Sequence, residues 1–190
     1  KKSFEIIKGE LGEDFVSRYP ADALPVLCRV IHTTADFDYV DSLYISEGAV
    51  AKGIRALQNG ACIVTDTQMA KAGINKRKLA QLGGEVFCFI SDEDVAQKAK
   101  EQGSTRATAS MEKAAALNRP LIFAIGNAPT ALLTIAEKIE NGLRPALVIG
   151  VPVGFVNVVE SKERLFSVCE SHGVPAIVAM GRKGGSNVAA

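Results

Sequence analysis

The sequence predicts one α/β domain over residues 1–190: a five-stranded, mainly parallel sheet flanked by helices, with a helical N-terminal segment. Three observations predict it. Five short apolar runs, rich in β-branched or aromatic residues, recur between residues 61 and 179. None alternates with polar residues, as expected of strands buried on both faces. Segments of helical spacing lie between them, and that alternation gives right-handed βαβ units and a parallel sheet. A chain of 190 residues, 47% hydrophobic and 23% charged, is long enough and apolar enough for one full core.

The elements follow in order. Before Ala61 the chain reads as mostly helical and packs against the sheet. Leu24, Leu27, Cys28 and Ile31 recur at helical spacing and mark a core-facing stripe. Glu47 to Leu57 is helical, and Ala61-Cys62-Ile63-Val64 is the first strand. Val86-Phe87-Cys88-Phe89-Ile90 is the second. Ser91-Asp92-Glu93-Asp94 then starts a helix to Gln102, with Ser91 or Asp92 as cap and acids at the positive helix end. Ser104-Thr105-Arg106 opens the next helix, to Leu117, before the strand Leu121-Ile122-Phe123-Ala124-Ile125. Thr130 to Ile139 is helical; Asn141-Gly142 stops it and Pro145 keeps it from resuming. The strand Ala146-Leu147-Val148-Ile149 and the helix Glu160 to Glu170 follow. His172 reads as a partner of that helix's C-terminal end. Gly173 and Pro175 repeat the stop before Ala176-Ile177-Val178-Ala179, and the tail 181–187 reads as flexible and basic.

Composition excludes several functions. A net charge of +1, no Trp and no basic run interleaved with aromatics leave no nucleic-acid surface. No apolar run approaches the roughly 20 residues that span a bilayer, and the N-terminus lacks the apolar core of a secretory signal. Cys28, Cys62, Cys88 and Cys169 stand alone in apolar contexts, so they read as reduced, buried hydrophobes of a cytoplasmic protein. No zinc spacing occurs. Asp36, Asp38 and Asp41 resemble the start of a calcium loop but lack its glycine and closing glutamate, so they read as solvated acids. No resident metal or cofactor is expected.

In open α/β sheets ligands bind beyond the carboxyl ends of the strands. Thr65-Asp66-Thr67, Gly126-Asn127-Ala128-Pro129-Thr130, Gly150-Val151-Pro152-Val153-Gly154-Phe155 and Gly181-Arg182-Lys183-Gly184-Gly185 are therefore the predicted rim. Two readings stand for Gly126–Thr130: free N–H groups that bind an anion, or a tight turn capped by Asn127. The run is neither G-x-G-x-x-G nor a P-loop. Arg106, Arg182 and Lys183 read either as anion contacts or as ordinary surface cations. His32 can exchange a proton near neutrality and has Arg29 on its own helical face. Taken alone, it is as readily structural as catalytic. Together the pair suits an anionic substrate that must be protonated.

The motifs Ser3-Phe4-x-Ile6-Ile7, Arg29-Val30-Ile31-His32, Asp66-Thr67-x-Met69, Thr105-Arg106, Ala124–Leu132, Gly150–Val156, Glu160-Ser161-Lys162 and Gly181–Ser186 resemble precorrin-8X methylmutase, in order and over essentially the whole chain. The resemblance departs at Asn157, where that family often has glycine, and at Val158-Val159. It implies an isomerase of cobalamin biosynthesis that moves a methyl group from C11 to C12 of a corrin precursor. It also implies a homodimer, no added cofactor, His32 as the active histidine, and substrate contacts at Ser3, Arg29 and Arg106. Asn127, Gly154, Arg182 and Lys183 complete the expected binding set. The stretch Thr33-Thr34-Ala35-Asp36-Phe37-Asp38 is more similar to the anaerobic branch, whose substrate carries cobalt. Two rival readings are a non-catalytic tetrapyrrole carrier and, from the fold pattern alone, a flavodoxin-like nucleotide-binding domain.

Overall fold

The computed structural model describes residues 1–190. An N-terminal helical group, α1 (Lys2–Leu11), α2 (Glu13–Arg18), α3 (Leu24–Thr34) and α4 (Tyr39–Ser42), leads into β1 (Leu43–Ile45) and α5 (Ala49–Gln58). Then come β2 (Cys62–Thr65), α6 (Gln68–Gly73), α7 (Lys76–Gln81), β3 (Val86–Phe87), α8 (Glu93–Gln102) and α9 (Arg106–Ala115). The chain ends with β4 (Leu121–Ile125), α10 (Pro129–Glu140), β5 (Leu147–Gly150), α11 (Val158–Ser171), β6 (Ala176–Ala179) and α12 (Ser186–Ala189).

The sheet has six strands in the order β1-β6-β5-β4-β2-β3. All neighbours are parallel except β1, which runs antiparallel to β6 with Leu43 opposite Ala179. The sixth strand was not expected. Only three residues long, its Leu43-Tyr44-Ile45 offers too little alternation to be read as a strand. The expected strand 86–90 is shorter than predicted: only Val86 and Phe87 pair with β2, opposite Ile63 and Val64, and the chain after Phe87 leaves the ladder while β2 continues along β4 to Thr65.

Burial on both faces is complete in β4, whose five residues are all buried. Leu121, Phe123 and Ile125 join Leu132, Ile135, Ile139 and Leu165 on one face. Ile122 and Ala124 meet Leu27, Cys28, Ile31 and Tyr39 on the other. This is the period-2 geometry of a strand between two helical layers. The predicted stripe of α3 is the buried one, and all four cysteines are buried and free. No helix is long and apolar enough to cross a membrane.

The antiparallel β1 has a functional result. Its first residue lies at the carboxyl end of β6, so the chain just before it, from the end of α3 through residues 35–38, joins the same rim as the loops after the parallel strands.

Candidate active site at the strand ends

The sheet order reverses direction between β2 and β4: β2 leads on to β3 at one edge, and β4 to β5 and β6 at the other. A ligand crevice is expected at such a point. Here the protein fills it. Asp66, which follows β2 and is buried, accepts from Gly126 N–H at 2.9 Å through one carboxylate oxygen. The other oxygen accepts from Asn127 N–H at 2.9 Å and Ala128 N–H at 2.7 Å. These are the groups that could have bound a substrate anion; an internal carboxylate takes them, where the positive end of α10 favours it. Asn127 is not the cap of α10, as expected in the second reading: Ala128 stands at that position, and Asp66 does the capping from another segment. Ser186 closes the crevice from above, with its hydroxyl 2.8 Å from that of Thr67. A Cβ on Gly126 would lie 2.6 Å from the Ser186 Cα, so the two backbones cross where only glycine fits.

The 181–186 loop is held down rather than loose, contrary to its expected flexibility. Gly185 N–H donates to Val151 O at 2.8 Å, and Gly154 N–H donates to Arg182 O at 3.1 Å. A Cβ on Gly184 would meet Val151 O at 2.0 Å, which excludes any other residue there. Beneath it, the buried Lys162 ammonium donates to Gly181 O at 2.8 Å and Lys183 O at 3.0 Å. Burial pushes the Lys162 pKa down to about 8. On the outside, the Lys183 ammonium donates to Asp36 and Asp38, each at 2.6 Å. Asp36 and Asp38 are therefore ion-paired acids, not freely solvated ones. Hydrogen bonding to Lys183 holds the Asp36 carboxyl below its ordinary range.

His32 lies in the last turn of α3, with its ring exposed. Thr34 Oγ1 donates to Val30 O at 2.8 Å, Ala35 turns left-handed (φ 53°), and Asp36 N–H donates to Thr34 Oγ1 at 3.2 Å. That compact exit directs Asp36 and Asp38 toward Lys183 and leaves His32 without an ion pair or hydrogen bond inside the chain. Phe4 of α1 organises the pair. Its ring meets His32 edge-on at 5.9 Å between centroids, and the Arg29 guanidinium lies 5.2 Å from the Phe4 centroid. Arg29 also borders a cleft of ≈ 640 Å³ with Thr33, Met69 and Asn187.

The predicted residues thus fall into groups. Arg29 and His32 meet across Phe4, with Ser3 exposed beside it on the first turn of α1. Gly154, Arg182 and Lys183 form the loops after β5 and β6. Arg106 is exposed at the start of α9, where Thr105 caps the helix and its hydroxyl lies 3.2 Å from that of Thr130 at the start of α10. Asn127 is exposed at the end of β4. Phe4, Asp66 and Lys162 belong to motifs in the sequence but gain their roles only through distant partners. Large apolar side chains also stand exposed on the rim: Met69 at 73%, Phe155 at 81% and Val156 at 77%. The Arg182 guanidinium lies 5.4 Å from the Phe155 ring centroid. Asn157, the departure from the family pattern, takes a left-handed conformation (φ 57°) that asparagine tolerates best after glycine, so the turn keeps its shape.

Fold and rim together define the class: an open-sheet α/β protein with an apolar, arginine-bordered rim and an unpaired histidine at its strand ends. The family model described as precorrin-8X methylmutase matches residues 1–190, and the chain belongs to that family of isomerases of cobalamin biosynthesis. A cobalt-precorrin-8 methylmutase of Leptospira interrogans is 46% identical over 193 residues, covering 99% of this chain and 86% of that protein. One from Priestia megaterium is 45% identical over 188 residues, covering 98% and 80%. The solved structure of a precorrin-8X methylmutase from Thermus thermophilus matches with a TM-score of 0.85 at 40% identity, covering 99% of this chain and 89% of that one.

Proposed function

We propose that the chain moves a methyl group from C11 to C12 of a precorrin-8 macrocycle, with His32 as the acid that assists the migration. The observation that carries this reading is the state of His32: exposed in the last turn of α3, braced by Phe4, and bonded to nothing else in the chain. Asp36, the nearest carboxylate in sequence, is engaged by Lys183, so the hydrogen-bonding capacity of the histidine is free for a ligand. A shift between adjacent ring carbons needs orientation and a proton donor rather than a nucleophile. His32 as imidazolium protonates or hydrogen-bonds the macrocycle and makes it electron-poor enough for the methyl to migrate.

The substrate is a broad, flat ring edged with carboxylates. Arg29, Arg106 and Arg182 have no carboxylate partner within the chain and are the proposed anchors for those carboxylates, with Ser3, Asn127 and Gly154 completing the set. Lys183 reaches a substrate carboxylate only in exchange for Asp36 or Asp38. Met69, Phe155 and Val156 offer apolar surface to the ring face. The relatives named for cobalt-precorrin-8 and the stretch after His32 favour the cobalt-bearing substrate. Nucleotide binding at the β2/β4 crevice is disfavoured because Asp66 already takes its amides.

His32→Ala is expected to keep product affinity and lose about 10²–10⁴-fold in turnover. Unchanged turnover would remove the acid role, and product binding with no turnover in the parent protein would favour a carrier. Parallel assays with cobalt-precorrin-8 and the metal-free form, followed by absorbance, are expected to run faster with cobalt.

A further inference from the structure

Lys162 is the only cation fully buried in the fold. It lies in α11, has no carboxylate partner, and spends its ammonium on two main-chain carbonyls, those of Gly181 and Lys183. Packing does not explain the choice. A methionine fills similar space without the cost of burying an unpaired charge, a cost expressed in the lowered pKa of about 8. The charge is retained where its hydrogen bonds do something a methionine cannot.

Those two acceptors flank a single residue, Arg182. Its own carbonyl accepts from Gly154 N–H, and the next side chain, Lys183, is tied to Asp36 and Asp38. Main chain on both sides of Arg182 is therefore fixed from below, from the β5 loop and from the exit of α3. The one group left free is the guanidinium, which lies against the exposed Phe155 ring. Fixing the backbone of a long side chain lowers the ordering cost of each contact it makes to a ligand.

We propose that Lys162 is a positioning residue, which sets the Gly181–Lys183 loop so that Arg182 meets a substrate carboxylate. The inference rests on the reading of Arg182 given above. The test is a cycle of the parent, Lys162→Met, Arg182→Leu and the double variant, assayed with cobalt-precorrin-8, with hydrogen exchange at the Gly154 and Gly185 amides that tie the loop. Each single substitution is expected to raise KM roughly tenfold or more, the loss of a charge-assisted contact, with little change in kcat. The double variant is expected to be no worse than Arg182→Leu, because Lys162 acts through Arg182. Exchange at the Gly154 and Gly185 amides, which bond across the loop, is expected to quicken in Lys162→Met. An unchanged KM in Lys162→Met, or KM effects that multiply, overturns the proposal. Should Lys162→Met not fold, Lys162→Arg, which keeps charge and donors but displaces the loop, is read through the same cycle. An unchanged KM in Arg182→Leu alone removes the substrate reading of Arg182. In that case unaltered exchange in the Lys162 variant separately overturns the positioning role.

Discussion

At the scale of the residue, Lys183 joins two parts of the rim that lie far apart in sequence. Its ion pairs with Asp36 and Asp38 hold the exit of α3, and so His32, to the loop that carries Arg182. Hydrogen bonding lowers the Asp36 pKa and raises that of Lys183. The Asp36 contribution to stability is present above the unfolded value of about 4 and is lost as pH falls through the lower folded value. The Lys183 contribution is present below about 10.4 and is lost only as pH rises through a higher one. The clasp is therefore constant across the neutral range. Thermal unfolding of Lys183→Met against the parent is expected to show a small difference that is flat from about pH 5 to 9 and fades only as the pH falls below about 4. Because the groups are exposed, it also shrinks in high salt. A difference that grew on acidification would contradict this assignment.

At the scale of the element, the entry to α10 depends on one distant carboxylate. Asp66 takes three consecutive N–H groups, whereas asparagine would keep one acceptor oxygen and turn a donor toward the rest. Asp66→Asn is expected to cost about 2–4 kcal/mol, measured by urea unfolding. A loss within error would mean that water replaces the carboxylate freely. Asp66 also marks the limit of what the sequence reveals. Patterns local to one element were legible: the unbroken apolar run of β4, the stripe of α3, and the start of α9 at Ser104-Thr105-Arg106. The loops of the rim followed from strand direction alone. What depended on chain segments far apart was not legible. The amides that Asp66 holds lie 60 to 62 residues onward. Lys162 sits in a helix otherwise rich in exposed charge, and only the carbonyls of residues 181 and 183 make its burial tenable. β1 is too short for its own pattern to show and exists because β6 offers an edge.

At the scale of the whole molecule, β1 and β3 end the sheet, and Tyr44 of β1 is an exposed large side chain on that edge. The family resemblance implies a homodimer, so sedimentation equilibrium is expected to give twice the 20.1 kDa chain mass. A monomer with full turnover would contradict it. The tethered loop at residues 181–186 has a consequence for the order of synthesis. Four of the five parallel strands, β2 to β5, and every helix except α12 are complete by residue 171. Yet the contacts that assemble the rim, from Lys162, Thr67, Val151, Asp36 and Asp38, all find their partners after residue 180. A ribosome adds about 5–20 residues each second, so a nascent chain passes through a stage in which most of its sheet is built and the rim is still open. The rim is thus closed only once the segment after residue 180 has been made, whatever the sheet has already achieved.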